Sequence, residues 1–505
     1  MLKRHLPILL VTTLTLSLVL ADLFTDFGPV NADATPPASP PWVMPVEVQN
    51  PTQAAWNDFG YQSFIALIWP ASGNYRGEPN PELLPGATDN KGAFLPTVWE
   101  TYNQPSELFL PRATPPPGWN APPPTVTCPD HTFTSRWFSS VSKASDAKVS
   151  QLSQASFPGL TTNLSGAVVD QNKNFVWYEQ RLNESWWDYI VDHKYYDAVN
   201  QQNATANGGL IPSLPDGAAK NFVQPLPDFA RQGVVELKAS WRVLEKTDDA
   251  SRYYHVTAAL VDPTGTVTCN VQLGLVGLHI LRLTPSSHTS WVWFTFEQVD
   301  NTEVPAGSKI KPSFNPGGSP APQYLGGYQI GDKEQNPPLP PIHVAVHQPL
   351  PPKDQRTVSN ISRVDAIPAN ATKANGKYHG LAPIKGTVWQ YYQLIGSQVG
   401  GVTDASSTCT VAGFYGATPS AAATPGAAPY ALNACKLSNT SMESYVQGVS
   451  CIACHSYAAP LGDSGHNGPY GYSPNNQIFS FMLGDAQSSI PTPFPPGTPA
   501  ATASQ

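Results

Sequence analysis

Four strand-length apolar runs joined by short links between Val235 and Val299 constrain this chain's fold more than any other feature. In the first, Val235, Leu237, Ala239, Trp241 and Val243 alternate with Glu236, Lys238, Ser240 and Arg242, the period of a half-buried strand. Tyr253 to Val261, Val267 to Leu283 and Trp291 to Val299 follow, with the turns Asp262-Pro263-Thr264-Gly265 and Pro285-Ser286-Ser287 between them. Links this short join antiparallel neighbours, so the run predicts a meander. The body is expected to be mainly β with some helices, an α+β chain with an antiparallel, β-rich core.

Helical signals are fewer. From Ala54 to Ile68, Trp56, Phe59, Phe64, Leu67 and Ile68 recur at helical spacing, and Trp69-Pro70 closes the run. Asn174 to Arg181 reads as a strand, after which Asn183 caps a helix carrying Trp186, Trp187, Tyr189, Ile190 and Tyr195. Charged residues are 13% of the chain against roughly a quarter in an average globular protein, and there are 54 prolines, so long loops are expected. Residues 103–131 and 303–375 are such stretches, the second interrupted by a strand at His343-Val344-Ala345-Val346-His347. Lys377 to Gln398 regains structure around Trp389, Tyr391, Leu394 and Ile395.

At the N-terminus Lys3 and Arg4 precede a Leu-rich apolar segment, and Ala32-Asp33-Ala34 offers a small-residue cleavage site. Residues 1–34 therefore read as a signal peptide cut after Ala34. The distance from the apolar segment to that site leaves a retained anchor as the other outcome. No later segment has the length of a membrane span, so a cleaved chain would be periplasmic or extracellular with no stable membrane span. The net charge of −8 and the lack of a basic stretch argue against nucleic acid as a partner.

Near the other end stands Cys451-Ile452-Ala453-Cys454-His455. Two thiols at this spacing add to the two vinyl groups of one haem, and the adjacent imidazole then lies beneath the iron, so Cys451 and Cys454 read as tethers and His455 as the proximal iron ligand of one covalent haem c. A disulfide or partial zinc site is the plainer account, but zinc needs a fourth ligand at sensible spacing, and nothing nearby supplies a second Cys pair. Thr440 and Glu443 form a capping-box pattern for a helix with Met442, Tyr445, Val446 and Val449 on its apolar face, delivering the motif. A second short helix is expected from Pro474 to Gln487. The expected organisation is a Pro-rich lead-in at 35–47, a β-rich body at 48–400, a low-complexity linker at 401–436, a short helical haem c segment at 437–490 and a disordered tail at 491–505.

Four of the six cysteines remain, Cys128, Cys269, Cys409 and Cys435, an even number in an oxidising compartment. Three pairings exist; the preferred one joins Cys409 to Cys435, around the linker, and Cys128 to Cys269. The distal iron ligand has several candidates. Met482 lies where a loop and helix can return it across the haem, although a Met beside Phe481 also reads as ordinary packing. His466 would need a tight loop, and His279, His379 or the His343 and His347 pair would have to come from the body. An open sixth position would bind exogenous ligands. No Lys or Arg follows Lys436, while Glu443, Asp463 and Asp485 make the segment acidic. That charge favours ferric iron and predicts a lowered reduction potential, and it removes the lysine ring by which a carrier meets an acidic partner.

Several stretches resemble a group of secreted bacterial cytochrome c family proteins that carry a single haem. These are Gln62-Ser63-Phe64-Ile65-Ala66-Leu67 with Trp69-Pro70, Val98-Trp99-Glu100-Thr101, Gly277-Leu278-His279-Ile280, Phe296-Glu297-Gln298-Val299-Asp300-Asn301 and Trp389-Gln390-Tyr391 to Gly396. Asn439-Thr440-Ser441-Met442-Glu443-Ser444-Tyr445, the haem motif and Ser480-Phe481-Met482-Leu483 are similar to their C-terminal signature. The likeness covers most of residues 55–487. It implies haem binding and electron transfer to a redox partner protein, and brings no substrate. In that group the position of Met482 is often Leu, which weighs against Met482 as a ligand.

A carrier alone needs only about a hundred residues, a small-domain size, so the large body asks for a further role. The leading expectation is a secreted monohaem c-type cytochrome that transfers electrons. One alternative is a haem peroxidase or oxygenase whose open iron faces the body near His279 and the Trp291 and Trp293 strand, although no distal acid-base pair is visible. Another is a surface binding module carrying a redox or sensor haem. The sequence sets no oligomeric state. N-terminal sequencing of the exported protein is expected to begin at Thr35; a chain still beginning at Met1 would show that the apolar segment is kept.

Overall fold

Seven strands, each built on β-branched and aromatic residues, share one sheet. They are β1 (Trp137–Phe138), β2 (Trp177–Leu182), β3 (Val234–Val243), β4 (His255–Val261), β5 (Val267–Leu283), β6 (Trp291–Gln298) and β7 (Tyr392–Val399). The order is β7-β6-β5-β3-β2, with β4 paired to β5 and β1 to β4. The structure, a computed structural model of the chain, describes residues 40–46, 48, 52–141, 151–152, 167–206, 233–283, 291–304, 307–316, 344–345, 349–363, 365–399, 437–444, 447, 451, 455, 480–486 and 488–489. The expected signal peptide, linker and tail lie outside these residues, as do Cys409, Cys435, Cys454, His343, His347 and His466.

β5 organises the sheet. It is 17 residues long, enough to take two partners end to end along one edge. Leu273 and Gly274 pair with both β3 and β4, and Gly277 to Leu283 pair with both β3 and β6, so β3 runs along one edge while β4 and β6 divide the other. All these ladders are antiparallel. The expected meander therefore holds for β4, β5 and β6 but breaks at β3, which passes over β4 to reach β5. The link between β3 and β4 contains a 3-10 turn, Ala250–Arg252, and is long enough to cross from one edge to the other. β1 runs parallel to β4, and just beyond it the Tyr178 N–H of β2 donates to the Ser140 carbonyl at 2.8 Å. The sheet thus curls almost into a barrel.

The inner face carries the main core. Helix α1 (Gln53–Leu67), where the helical spacing places it, is capped by Thr52, whose side chain accepts from the Ala55 N–H. It lies against β6, with the Phe64 ring stacked on Phe296 at 4.2 Å between centroids. Gly60 rests on the Phe294 ring, where a Cβ would collide. Helix α2 (Glu184–Asp192) begins at Asn183, whose side-chain oxygen accepts from the Trp186 N–H at 3.3 Å and from the Val235 N–H of β3 at 2.9 Å. One cap therefore serves a helix start and a strand. Inside the curl, Trp241 donates to Glu179 at 2.9 Å, and Glu179 is held by Arg181 at 2.8 Å. Cys128 and Cys269 form a disulfide with Cα atoms 6.1 Å apart, tying a short hairpin (Val126–Thr127 with Thr132–Phe133) to the start of β5.

β3 departs from the half-buried strand that its alternation predicts, because its polar side is covered too. Glu236 and Ser240 have no exposed surface. The cover is the chain's C-terminal portion, residues 437–444 and 480–486, which lies across the outer face of β2, β3, β5 and β6. Gly277 of β5 is where it comes nearest: a Cβ there would stand 2.6 Å from the Ser240 hydroxyl, 2.9 Å from the Asn439 amide oxygen and against the Ser441 hydroxyl. Among the described residues no helix is long and apolar enough to cross a membrane. Gly277→Ala is expected to lower stability by roughly 1–3 kcal/mol, the usual cost of overpacking, through displacement of residues 439–441. A denaturant midpoint unchanged from the wild type would contradict it.

Candidate functional site

Residues directly opposite each other in adjacent strands share a face of the sheet. Register therefore sets out the outer face row by row: Tyr178 with Ser240, Gly277 and Glu297; Lys238 with His279 and Thr295; Glu236 with Leu281 and Trp293. For a chain this poor in charge, the face is notably polar. One tripeptide, Asn439-Thr440-Ser441, partners Tyr178, Ser240, Thr295 and Glu297 of this face. The Asn439 amide donates to the Thr295 hydroxyl and the Phe296 carbonyl, both at 2.9 Å. Its oxygen accepts from the Ser441 N–H and hydroxyl. The Thr440 N–H and hydroxyl donate to the two oxygens of Glu297, at 2.6 and 2.8 Å, and Arg363 pairs with the same carboxylate. The Tyr178 hydroxyl donates to the Ser441 carbonyl at 2.7 Å, and the Ser240 and Ser441 hydroxyls meet at 2.6 Å.

Thr440 is thus not the helix cap that its spacing from Glu443 predicts. Residues 440–444 form a turn, with the Met442 and Glu443 N–H groups donating to the Asn439 carbonyl. The Glu443 carboxylate turns back onto the Asn439 N–H at 2.8 Å. Thr440 is drawn away because a buried carboxylate accepts more strongly than the backbone groups of its own turn. Met442 is buried against Tyr178 and Val276; Tyr445, Val446 and Val449 lie outside the described residues.

A second strip of the C-terminal portion covers the other end of the face. The Ser480 hydroxyl donates to Glu236 at 2.6 Å and also accepts from the Met482 N–H at 3.2 Å. A 3-10 helix, Met482–Asp485, follows, and Gln201 of helix α3 (Ala198–Ala206) donates to the Leu483 carbonyl at 2.9 Å. Of the helix expected over Pro474 to Gln487, the described part is this single turn. Burial pushes the Glu236 carboxyl up, with Asp485 adding to the shift, while Lys238 and the Ser480 hydroxyl act in the opposite direction.

Between these strips stand the described residues of the motif. Cys451 and His455 are both in α-helical conformation. Cys451 is buried, its thiol 3.8 Å from the Leu437 carbonyl. His455 is half-buried, its ring 5.6 Å from that of Trp293 on β6 and 5.1 Å from that of Phe481. The Lys238 ammonium lies 5.9 Å from the centre of the Phe481 ring. A buried thiol and, four positions on, an imidazole flanked by two large rings are a donor set that fits haem c. Among the described residues no group of three or more His, Cys, Asp or Glu side chains is arranged to hold a metal ion.

The distal candidates separate. Met482 is buried in the main core, immediately after the residue whose ring meets His455. His279 lies on the outer face with its Nε2 3.4 Å from Glu443, within ion-pair range but without an aligned hydrogen bond. His379 ends helix α4 (Ala369–His379), its Nε2 2.7 Å from the Tyr392 carbonyl, which commits it to the backbone. Glu236 and Arg363 enter the site without a local motif to announce them, whereas Trp293 lies on the strand that the open-iron alternative names. The one signal in the sequence is the polar side of β3.

No protein-family model, curated protein or solved structure matches the chain. Thr440→Val keeps the shape and removes one hydrogen bond to an ionised group, so it is expected to cost about 1.5–3 kcal/mol. Chemical unfolding of the two proteins side by side checks this, and equal midpoints would remove Thr440 from the docking of the segment.

Proposed function

We propose that this protein is a secreted monohaem c-type cytochrome of the kind that its motifs resemble, with haem c carried at Cys451 and Cys454 and His455 as proximal ligand, acting in electron transfer. The observation that carries the reading is the buried Cys451 thiol together with the His455 ring set beside Trp293 and Phe481. The bound haem supplies reversible one-electron chemistry. The chain's own residues do the rest. Cys451 and Cys454 would hold the haem through thioether bonds, and Trp293 and Phe481 limit the swing of the imidazole. Glu297, Arg363 and the tripeptide at 439–441 anchor the haem segment to the body.

Charge decides how a redox partner protein would dock. The acidic, lysine-free C-terminal portion lowers the reduction potential and leaves docking to apolar contacts or to Lys and Arg of the body. The polar outer face is filled by the C-terminal segment itself, so it serves attachment of the haem segment.

Exported protein is expected to keep haem after denaturation and solvent extraction, and to give the absorption spectrum of a haem with both vinyl groups saturated. Cys451→Ala with Cys454→Ala is expected to lose all covalent haem; retention by the double variant would overturn the attachment. Carbon monoxide on the reduced protein and cyanide on the oxidised one report the distal side. Slow or absent binding fits a six-coordinate carrier, and rapid binding fits the peroxidase or oxygenase alternative.

A further inference from the structure

Asp170, Glu236, Glu297 and Asp300 are the described carboxylates with 0% exposure. Arginine neutralises three of them: Arg242 on Asp170 at 3.1 Å, Arg252 on Asp300 at 2.6 Å, and Arg363 on Glu297. Glu236 has no arginine. Its Oε2 accepts from the Ser480 hydroxyl at 2.6 Å, and its Oε1 has no hydrogen-bond partner among the described residues. The charged groups that face it are Lys238, two residues along the same side of β3, and Asp485 of the C-terminal portion. Directly across, β2 and β5 present Leu182 and Leu281. A carboxylate buried with one oxygen unpaired is costly to ionise, and binding a proton relieves it.

Its location gives that proton a use. Ser480, which Glu236 binds, is followed by Phe481, whose ring stands 5.1 Å from His455. Lys238, which faces Glu236, stands 5.9 Å from the same ring. We propose that Glu236 is the redox-linked proton site of the haem, taking up a proton when the iron is reduced and releasing it when the iron is oxidised. The inference rests on the haem reading above. One electron arrives from a one-electron donor and one proton from water; both leave on reoxidation, so charge balances. Ferric iron carries one more positive charge and favours the ionised carboxylate, whereas ferrous iron does not. Linkage is reciprocal: if reduction tightens proton binding, proton binding eases reduction. The reduction potential therefore falls as pH rises, between the carboxyl pKa of the oxidised protein and the higher one of the reduced protein.

Potentiometric titration of the haem-loaded protein and of Glu236→Gln, from the ordinary carboxylate range upward through neutral pH, tests this. The wild-type potential is expected to fall by up to about 59 mV per pH unit, a tenfold change in proton concentration converted for a one-electron couple. Glu236→Gln, which keeps the shape and the Ser480 contact, is expected to lose that slope. Equal slopes in the two proteins would overturn the proposal. A reduced-minus-oxidised infrared spectrum of the wild type is expected to gain a carboxylic-acid carbonyl band, and no such band would also overturn it. Absence of covalent haem from the wild type would overturn the haem reading and this inference together, whereas haem present without a pH slope would overturn this inference alone.

Discussion

The ion pair of Glu297 and Arg363, completed by Thr440, is the interaction on which the burial of the outer face depends. Glu297 has no exposed surface and sits among the apolar residues of β6. A charge in that position without partners costs several kcal/mol, and removing one partner from such a pair typically costs about 3–5 kcal/mol. Arg363 supplies the opposite charge from one side, and the Thr440 N–H and hydroxyl supply two donors from the other. Once Thr440 is held there, Asn439 and Ser441 fall against Thr295, Ser240 and Tyr178, and these polar groups of the face find partners. The face is polar because its cover is backbone-rich and polar. A row of valines would leave the donors of Asn439 and Thr440 unsatisfied.

The same economy of charge runs through the body. Although charged residues are scarce, many of those present are buried in pairs: Arg242 with Asp170, Arg181 with Glu179, Arg252 with Asp300. Each pair joins segments distant from the regular ladder or braces one side of a strand. Buried pairs of this kind add little net stability over apolar residues of the same size, but a wrong register leaves a charge alone and is strongly disfavoured. In a sheet this curled, where β5 meets three partner strands, register is what must be defended.

The strands were legible because alternation is a local property. β4, β5, β6, α1 and the Asn183 cap all lie where their own residues place them. What local pattern does not encode is which residue covers which. The polar side of β3 looks like a solvent face until the chain some two hundred residues later is laid on it, and Thr440 looks like a cap until Glu297 is known to be within reach. The same limit applies to the site. Cys451 and His455 are visible as a motif, but Glu236, Trp293 and Arg363 acquire meaning through register and docking, which no short window of sequence contains.

The contact between Tyr178 and Ser441 spans 263 residues. Folds dominated by such distant pairings form slowly, because the entropy of closing a long loop is lost before the contact can repay it. Here the distant partner is also synthesised 263 residues after Tyr178. Until it emerges, the sheet presents Glu236, Ser240, Thr295 and Glu297 to water, which solvates them well. A body whose unfinished face mixes these polar groups with Leu281 and Trp293 exposes less apolar surface than a wholly apolar one would, so the chemistry that completes the fold also makes its incomplete form less sticky.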